Sequence, residues 1–224
     1  VVEFRKSTNK VVNVVFNGTS QHVKGSGTTK FNNFEVASGT VTADVDLDID
    51  GAFTIGASAT KFTLDGHTMN LAGNFTKNAS AKTGFDYSSG KIIFDGTTVQ
   101  SVSGNGNNNF FYDIEVSGGG FLVLSCKMQI CGNFVVKDHS TVSTSASLRF
   151  YKNFTVEAGS TFDSNTEYTC FWGSYTSEND KTTAADRNQT IILDGDVTFA
   201  GISCRAKGSE GIKTFHGNIN STAE

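Results

Sequence analysis

VVFNGTSQHVKGSGTTKFNNFEV, spanning Val14–Val36, is written a second time as IIFDGTTVQSVSGNGNNNFFYDIEV at Ile92–Val116. Each copy holds a β-branched pair, Phe, Asn or Asp, and Gly. A polar, Gly-rich passage follows, then an aromatic-led segment closing on Glu-Val. Phe16 and Phe94 stand 78 residues apart, and a degenerate third copy opens at IILDG with Leu193 in the Phe position. Internal repetition on this scale constrains the fold before any single motif does.

A shorter period lies inside the long one. The large apolar residues that open each unit run Phe16, Phe34, Phe53, Phe75, Phe94, Ile114, Phe134, Phe154, Phe171, Leu193 and Phe215. Their spacing averages about 20 residues, the length of one coil in a solenoid of short strands parted by Gly, Asn and Ser. The sequence therefore predicts an all-β, single-domain chain over residues 1–224. It would be a parallel β-helix of about ten coils of ~20 residues. The alternative is a β-sandwich of similar strand length. Stacked coils would put Phe over Phe inside, with Asn33, Asn74, Asn133 and Asn153, each just before an anchor, forming an asparagine ladder at the bends. Residues 163–187 break the alternation and read as a loop excursion from the wall.

Composition agrees. The 224 residues include 24 Gly, 19 Phe and no Pro, and only 18% are charged. Absence of Pro suits inner strands that need every N–H for a ladder bond. Apolar residues alternate by two, and no long stretch repeats them at three-and-four spacing, so helices are not expected. A net charge of −4 without a basic stripe gives no nucleic-acid footprint. No apolar run reaches the ~20 residues of a membrane-spanning helix, so membrane insertion is not expected. The chain opens on Val1 without Met or a signal sequence, which reads as a processed or partial chain.

The paired pattern, with Gln21 and Gln100 after the FNG and FDG turns and GAF (Gly51–Phe53) and GNF (Gly132–Phe134) later, resembles repeats in large secreted surface proteins of Bacteroidota-type bacteria. The resemblance covers roughly residues 14–156. It implies an adhesin-like β-helical protein at the cell surface, some members of that group serving gliding and attachment. The four Cys, the aromatic excursion and the lack of a recognisable C-terminal sorting domain depart from that pattern.

Three groups of residues are candidates for chemistry. Asp44, Asp46, Asp48 and Asp50 alternate with Val45, Leu47 and Ile49, placing four carboxylates on one face. Residues two apart on a strand lie ~6.8 Å apart, so a Ca²⁺ site would need oxygens from adjacent coils, with Asp65 and Asn70 as sources. The same carboxylates would suit acid–base work on a polysaccharide, or simply a solvated face that discourages lateral aggregation. Tyr168, Phe171, Trp172 and Tyr175 gather aromatic area within eight residues and would stack on sugar rings or a partner, unless they fold back onto the wall. Cys126, Cys131, Cys170 and Cys204 are disulfide candidates, with Cys170–Cys204 straddling the excursion and Cys126–Cys131 closing a small ring. Their even number, with six N-x-S/T sequons, favours an oxidising, extracellular compartment. No triad pattern or G-x-S-x-G accompanies the four His and the many Ser.

These features point to a non-enzymatic structural subunit or segment of a surface filament or adhesin, joining other copies of itself end to end, with no cofactor beyond a candidate Ca²⁺. The alternatives are a carbohydrate-binding module using the aromatic loop, with surface glycans as partners, and a polysaccharide lyase or hydrolase using the acidic stripe.

Overall fold

The 20-residue period is one turn of a parallel β-solenoid. The computed structural model describes residues 12–79, 84–105, 109–166, 169–171 and 191–199, and the backbone of 213–215 and 219–221. Among these residues there is no helix, and every strand pairing is parallel.

Three walls enclose one core. The first carries eleven strands: ten run in sequence order, from Val14–Phe16 through Phe34–Ala43, Phe53–Thr63, Phe75–Lys77, Val99–Gly104 and Phe121–Leu124 to Ile219–Ser221, and Ser20–Val23 pairs beside Val14–Phe16 on Phe34–Ala43. The third carries nine, from Thr29–Phe31 to Lys213–Phe215. The second has four separate strands, Asn109–Phe111, Met128–Ile130, Leu148–Phe150 and Thr169–Phe171. Earlier in the chain its place is taken by the far ends of the long strands Phe34–Ala43 and Phe53–Thr63, where Val41 pairs with Phe62 and Phe62 bridges to Phe85. Strand Phe34–Ala43 turns this corner through register shifts on either side of Gly39. Gly39 has φ +66°, and a Cβ there would lie 1.9 Å from the Gly18 carbonyl oxygen, so only glycine fits.

The alternation in the sequence becomes inside and outside. In the strand Phe53–Thr63, Phe53, Ile55 and Phe62 are buried. Coils stack ~4.8 Å apart, which brings equivalent rings into contact. Phe34–Phe53 and Phe53–Phe75 stack at 5.4 and 5.2 Å between centroids, and Phe134–Phe154 at 5.6 Å. Stacked aromatic pairs contribute ~0.5–1.5 kcal/mol beyond the area they bury, so one column accumulates stability coil by coil.

The anchors do not form the single column that the period alone implies. Phe34, Phe53 and Phe75 share a column on the first wall, whereas Ile114, Phe134 and Phe154 share one on the third. Phe16 pairs with Val36 on the first wall, but its repeat partner Phe94 pairs with Leu71 and Val116 on the third. The two copies are therefore displaced by one wall. The slip falls after Phe75: Thr76 meets Ser103 at a separation of 27 residues, against 20 for Leu124 and Thr144 farther on. A three-residue apolar–polar–apolar strand fits any wall of such a coil, so repetition of the strand does not specify which wall it joins.

The asparagine ladder is only partly a stack of amides: Asn33 Nδ2 donates to Asn13 Oδ1 at 2.9 Å, but most of its bonds run to backbone. At several corners a side-chain oxygen accepts a bond from the backbone N–H one coil on. Asn13 Oδ1 accepts from Asn33 N (3.3 Å), Asn33 Oδ1 from Ala52 N (2.7 Å) and Asn74 Oδ1 from Ser101 N (2.8 Å). On the third wall Asp113 Oδ1 accepts from Asn133 N at 2.6 Å. These bonds satisfy donors at bends where the sheet ladder lapses.

Gln21 and Gln100 keep equivalent roles despite the slip. Gln21 Oε1 accepts from Gly18 N at 2.7 Å, and Gln100 Oε1 from Gly96 N at 2.9 Å. Gln100 is also buried, and its Nε2 donates to the Leu71 and Gly73 carbonyls, both at 2.7 Å. It locks its own turn and ties that turn to the coil before it.

Candidate functional site

The acidic stripe bends round a corner instead of lining one strand. Strand Phe34–Ala43 ends before Asp44, and the next begins at Leu47. The four carboxylates consequently meet different neighbours. Asp44 lies 2.9 Å from His22 Nδ1 and 3.6 Å from Lys24 Nζ. Asp46 accepts from Thr68 N at 2.9 Å and sits 3.4 Å from His67 Nδ1. Asp48 pairs with Lys30, which faces it across the third wall, and Asn70 is its partner on the following coil. Asp50 donates its N–H to the Phe31 carbonyl. Asp65 lies at a turn with φ +47°. Among the described residues, no three His, Cys, Asp or Glu side chains gather at metal-binding distance. The carboxylates of Asp44, Asp46 and Asp48 link successive coils.

Asp95, on the same wall, shows the cost of crowding such charges. Burial, then the Asp48 charge, raises its pKa above the usual carboxylate value. Glu115 shows the opposite balance. Burial alone would raise its pKa, but hydrogen bonds from Lys137 Nζ (3.0 Å) and Lys91 Nζ (3.1 Å) outweigh it and hold the value down. This three-charge bridge crosses successive coils beside a shallow groove of about 250 Å³, lined by Lys91, Asp113, Glu115, Asn133, Asn153 and Thr155 among others.

Of the aromatic group, Phe171 is not part of an exposed loop. It ends the strand Thr169–Phe171, is 4% exposed, and stacks on Phe150 at 5.3 Å in the inner column of the second wall. The strands Thr161–Ser164 and Thr169–Phe171 also belong to the walls, so residues 163–164 and 169–171 are not part of an excursion, while residues 172–187 lie outside the described residues. Tyr168, Trp172 and Tyr175 lie outside the described residues, as does Cys204.

The expected disulfides are not formed among the described residues. Cys126, Cys131 and Cys170 are free, buried thiols. Cys126 faces the main core, while Cys131 faces a separate cluster with Phe110 and Tyr151. Five positions apart across a three-residue strand, the two side chains emerge on opposite faces and cannot join. Burial pushes the Cys126 thiol up to about 11 and that of Cys131 to about 12, so both stay protonated at neutral pH.

One buried polar group went unmarked in the sequence. Lys77 faces inward in the column that holds Val36 and Ile55 and is 1% exposed. Its Nζ lies 3.4 Å from Oδ1 of Asn109, itself fully buried, with Cys126 close enough to act on the Lys77 charge. The signal was present: GNFTK carries Lys where GAFTI, GNFVV and KNFTV carry Ile or Val.

No family model, curated protein or solved structure matches the chain. Among the described residues, no helix is long and apolar enough to cross a membrane.

Proposed function

We propose that this chain is a structural, non-enzymatic segment of an extracellular surface filament or adhesin, and that its coils join those of other copies end to end. The observation that supports it is the continuous register of parallel coils. Among the described residues successive coils bond through backbone ladders, and at several of them also through corner side chains and outward ion pairs such as Lys30–Asp48, Lys61–Asp86 and Lys91–Glu115–Lys137. Outward charges of this kind stiffen a rod instead of converging on a substrate. A parallel stack has no intrinsic last rung: the N–H and C=O groups of an end coil remain unpaired unless further chain covers them, and the simplest further chain is another coil. A sequence rich in Ser, Thr and Asn with 18% charged residues agrees with an extracellular setting. The unpaired thiols lend it no support.

Sedimentation velocity over a wide concentration range, with electron microscopy of material from the native source, tests the assignment. Rods whose lengths are multiples of one chain are expected. Single rods at every concentration, with no longer particle in native material, would refute it. The carbohydrate-binding alternative loses Phe171 as a contact. Binding on a glycan array abolished by Trp172→Ala would restore it over the filament.

A further inference from the structure

Lys77, Asn109 and Cys126 lie together inside the core, whose inward polar residues also include Thr144, Ser164 and Thr169. The Lys77 stem continues the column of Val36 and Ile55, and the next residue in that column is Gly104. A Cβ at Gly104 would lie 2.9–3.1 Å from the Asn109 amide, so the missing side chain makes the space that this amide fills. On the other side, a Cβ at Gly84 would lie 3.3 Å from Lys77 Cε. Asn109 Nδ2 donates to the Lys127 carbonyl at 3.1 Å, which leaves Oδ1 turned toward Lys77 Nζ. Phe75 and Phe111 stand two residues along the same strands from Lys77 and Asn109, and their rings meet each other and Phe85 at 5.3–5.8 Å. Neighbouring coils carry Ile or Val in the Lys77 place, so this coil alone brings a buried primary amine against a buried primary amide.

We propose that Lys77 and Asn109 are the two halves of an intramolecular isopeptide crosslink, formed between Nζ and Cγ with release of ammonia. The neutral Nζ attacks Cγ, and the carbonyl electron pair moves onto Oδ1. When that pair returns, the Cγ–Nδ2 bond breaks. One proton leaves Nζ and one reaches Nδ2, which departs as ammonia; the Cys126 thiol relays it, giving its own proton to Nδ2 and taking one from Nζ. The step involves no oxidant or reductant. Burial lowers the Lys77 pKa and so favours the neutral nucleophile, while Cys126, pushed up to about 11, remains a proton donor. Holding amine and amide together supplies the effective concentration that such a slow exchange requires. The bond would join two successive coils at the place where the repeat slips by one wall and the 20-residue rhythm lengthens.

Intact-mass measurement of the folded full chain is the test. The wild type is expected below its sequence mass by one ammonia, with proteolysis yielding a branched peptide that joins Lys77 to Asn109. Lys77→Met and Asn109→Ala should show their full masses. Asn109→Asp should lose a water instead, and Cys126→Ala should react more slowly. A folded wild type that keeps its full sequence mass after prolonged incubation at mildly alkaline pH overturns the proposal. So does an ammonia loss that maps to other residues. Both results are read on the wild type, so neither depends on whether a variant folds.

Discussion

Replacing Gln100 by Ala separates the local effect of a repeated residue from the effect of its position in the fold. The side chain is 2% exposed and makes three hydrogen bonds, accepting from Gly96 N at 2.9 Å and donating to the carbonyls of Leu71 and Gly73 at 2.7 Å. Each such bond contributes ~0.5–1.5 kcal/mol net, and an orphaned buried donor costs ~1–3 kcal/mol, so a loss of about 2–4 kcal/mol is expected. Gln21 occupies the same place in the first copy but makes one bond, in a half-exposed turn, and Gln21→Ala should cost only ~0.5–1 kcal/mol. Gln100→Glu keeps the acceptor for Gly96 but sets a carboxylate against two carbonyls, and should be worse than Ala. Because solenoids unfold in segments, urea midpoints should be read together with hydrogen exchange at the Gly96 amide. Equal losses for Gln21→Ala and Gln100→Ala, or a Gln100→Ala cost below ~1 kcal/mol, would refute the assigned bonding.

Two further outcomes follow from the core and the charge bridge. Phe53→Ala removes a ring stacked between Phe34 and Phe75 and should cost ~3–5 kcal/mol. Hydrogen exchange should rise in the strands Phe34–Ala43 and Phe75–Lys77 while Phe154–Val156 stays protected, since coils couple chiefly to their neighbours. Glu115, held below its ordinary value of 4.5 by Lys137 and Lys91, contributes stability that is complete above that value and lost as pH falls through the depressed one. Urea midpoints of Glu115→Gln should be lower than wild type at neutral pH, with the gap closing in acid.

The repeat also exposes the boundary between local and tertiary information. NNFEV and GAFTI could be read as inward Phe-x-Val and Phe-x-Ile pairs, and Phe34, Val36, Phe53 and Ile55 are all buried. Phe171, at once an anchor of the 20-residue series and a member of the expected excursion, belongs to the second wall because Phe150 and Phe199 provide contacts that no local pattern records. The acidic stripe looked flat because period-two alternation continues through a corner as readily as along a strand. Lys77 was visible as an anomaly in the repeat, but Gly104 and Asn109 joined it only when the next coil was laid beneath.

The amino-acid order alone determined the length of a coil, the parallel stacking of coils and the side of each strand that faces inward, because all three depend on periodicity and on apolar burial. Tertiary structure decided which wall each triplet joins, which side chain closes each corner, and which buried polar groups meet. A strand three residues long carries too little information to name its wall. The neighbouring coil supplies the rest, through the positions of its backbone donors and the space its side chains leave.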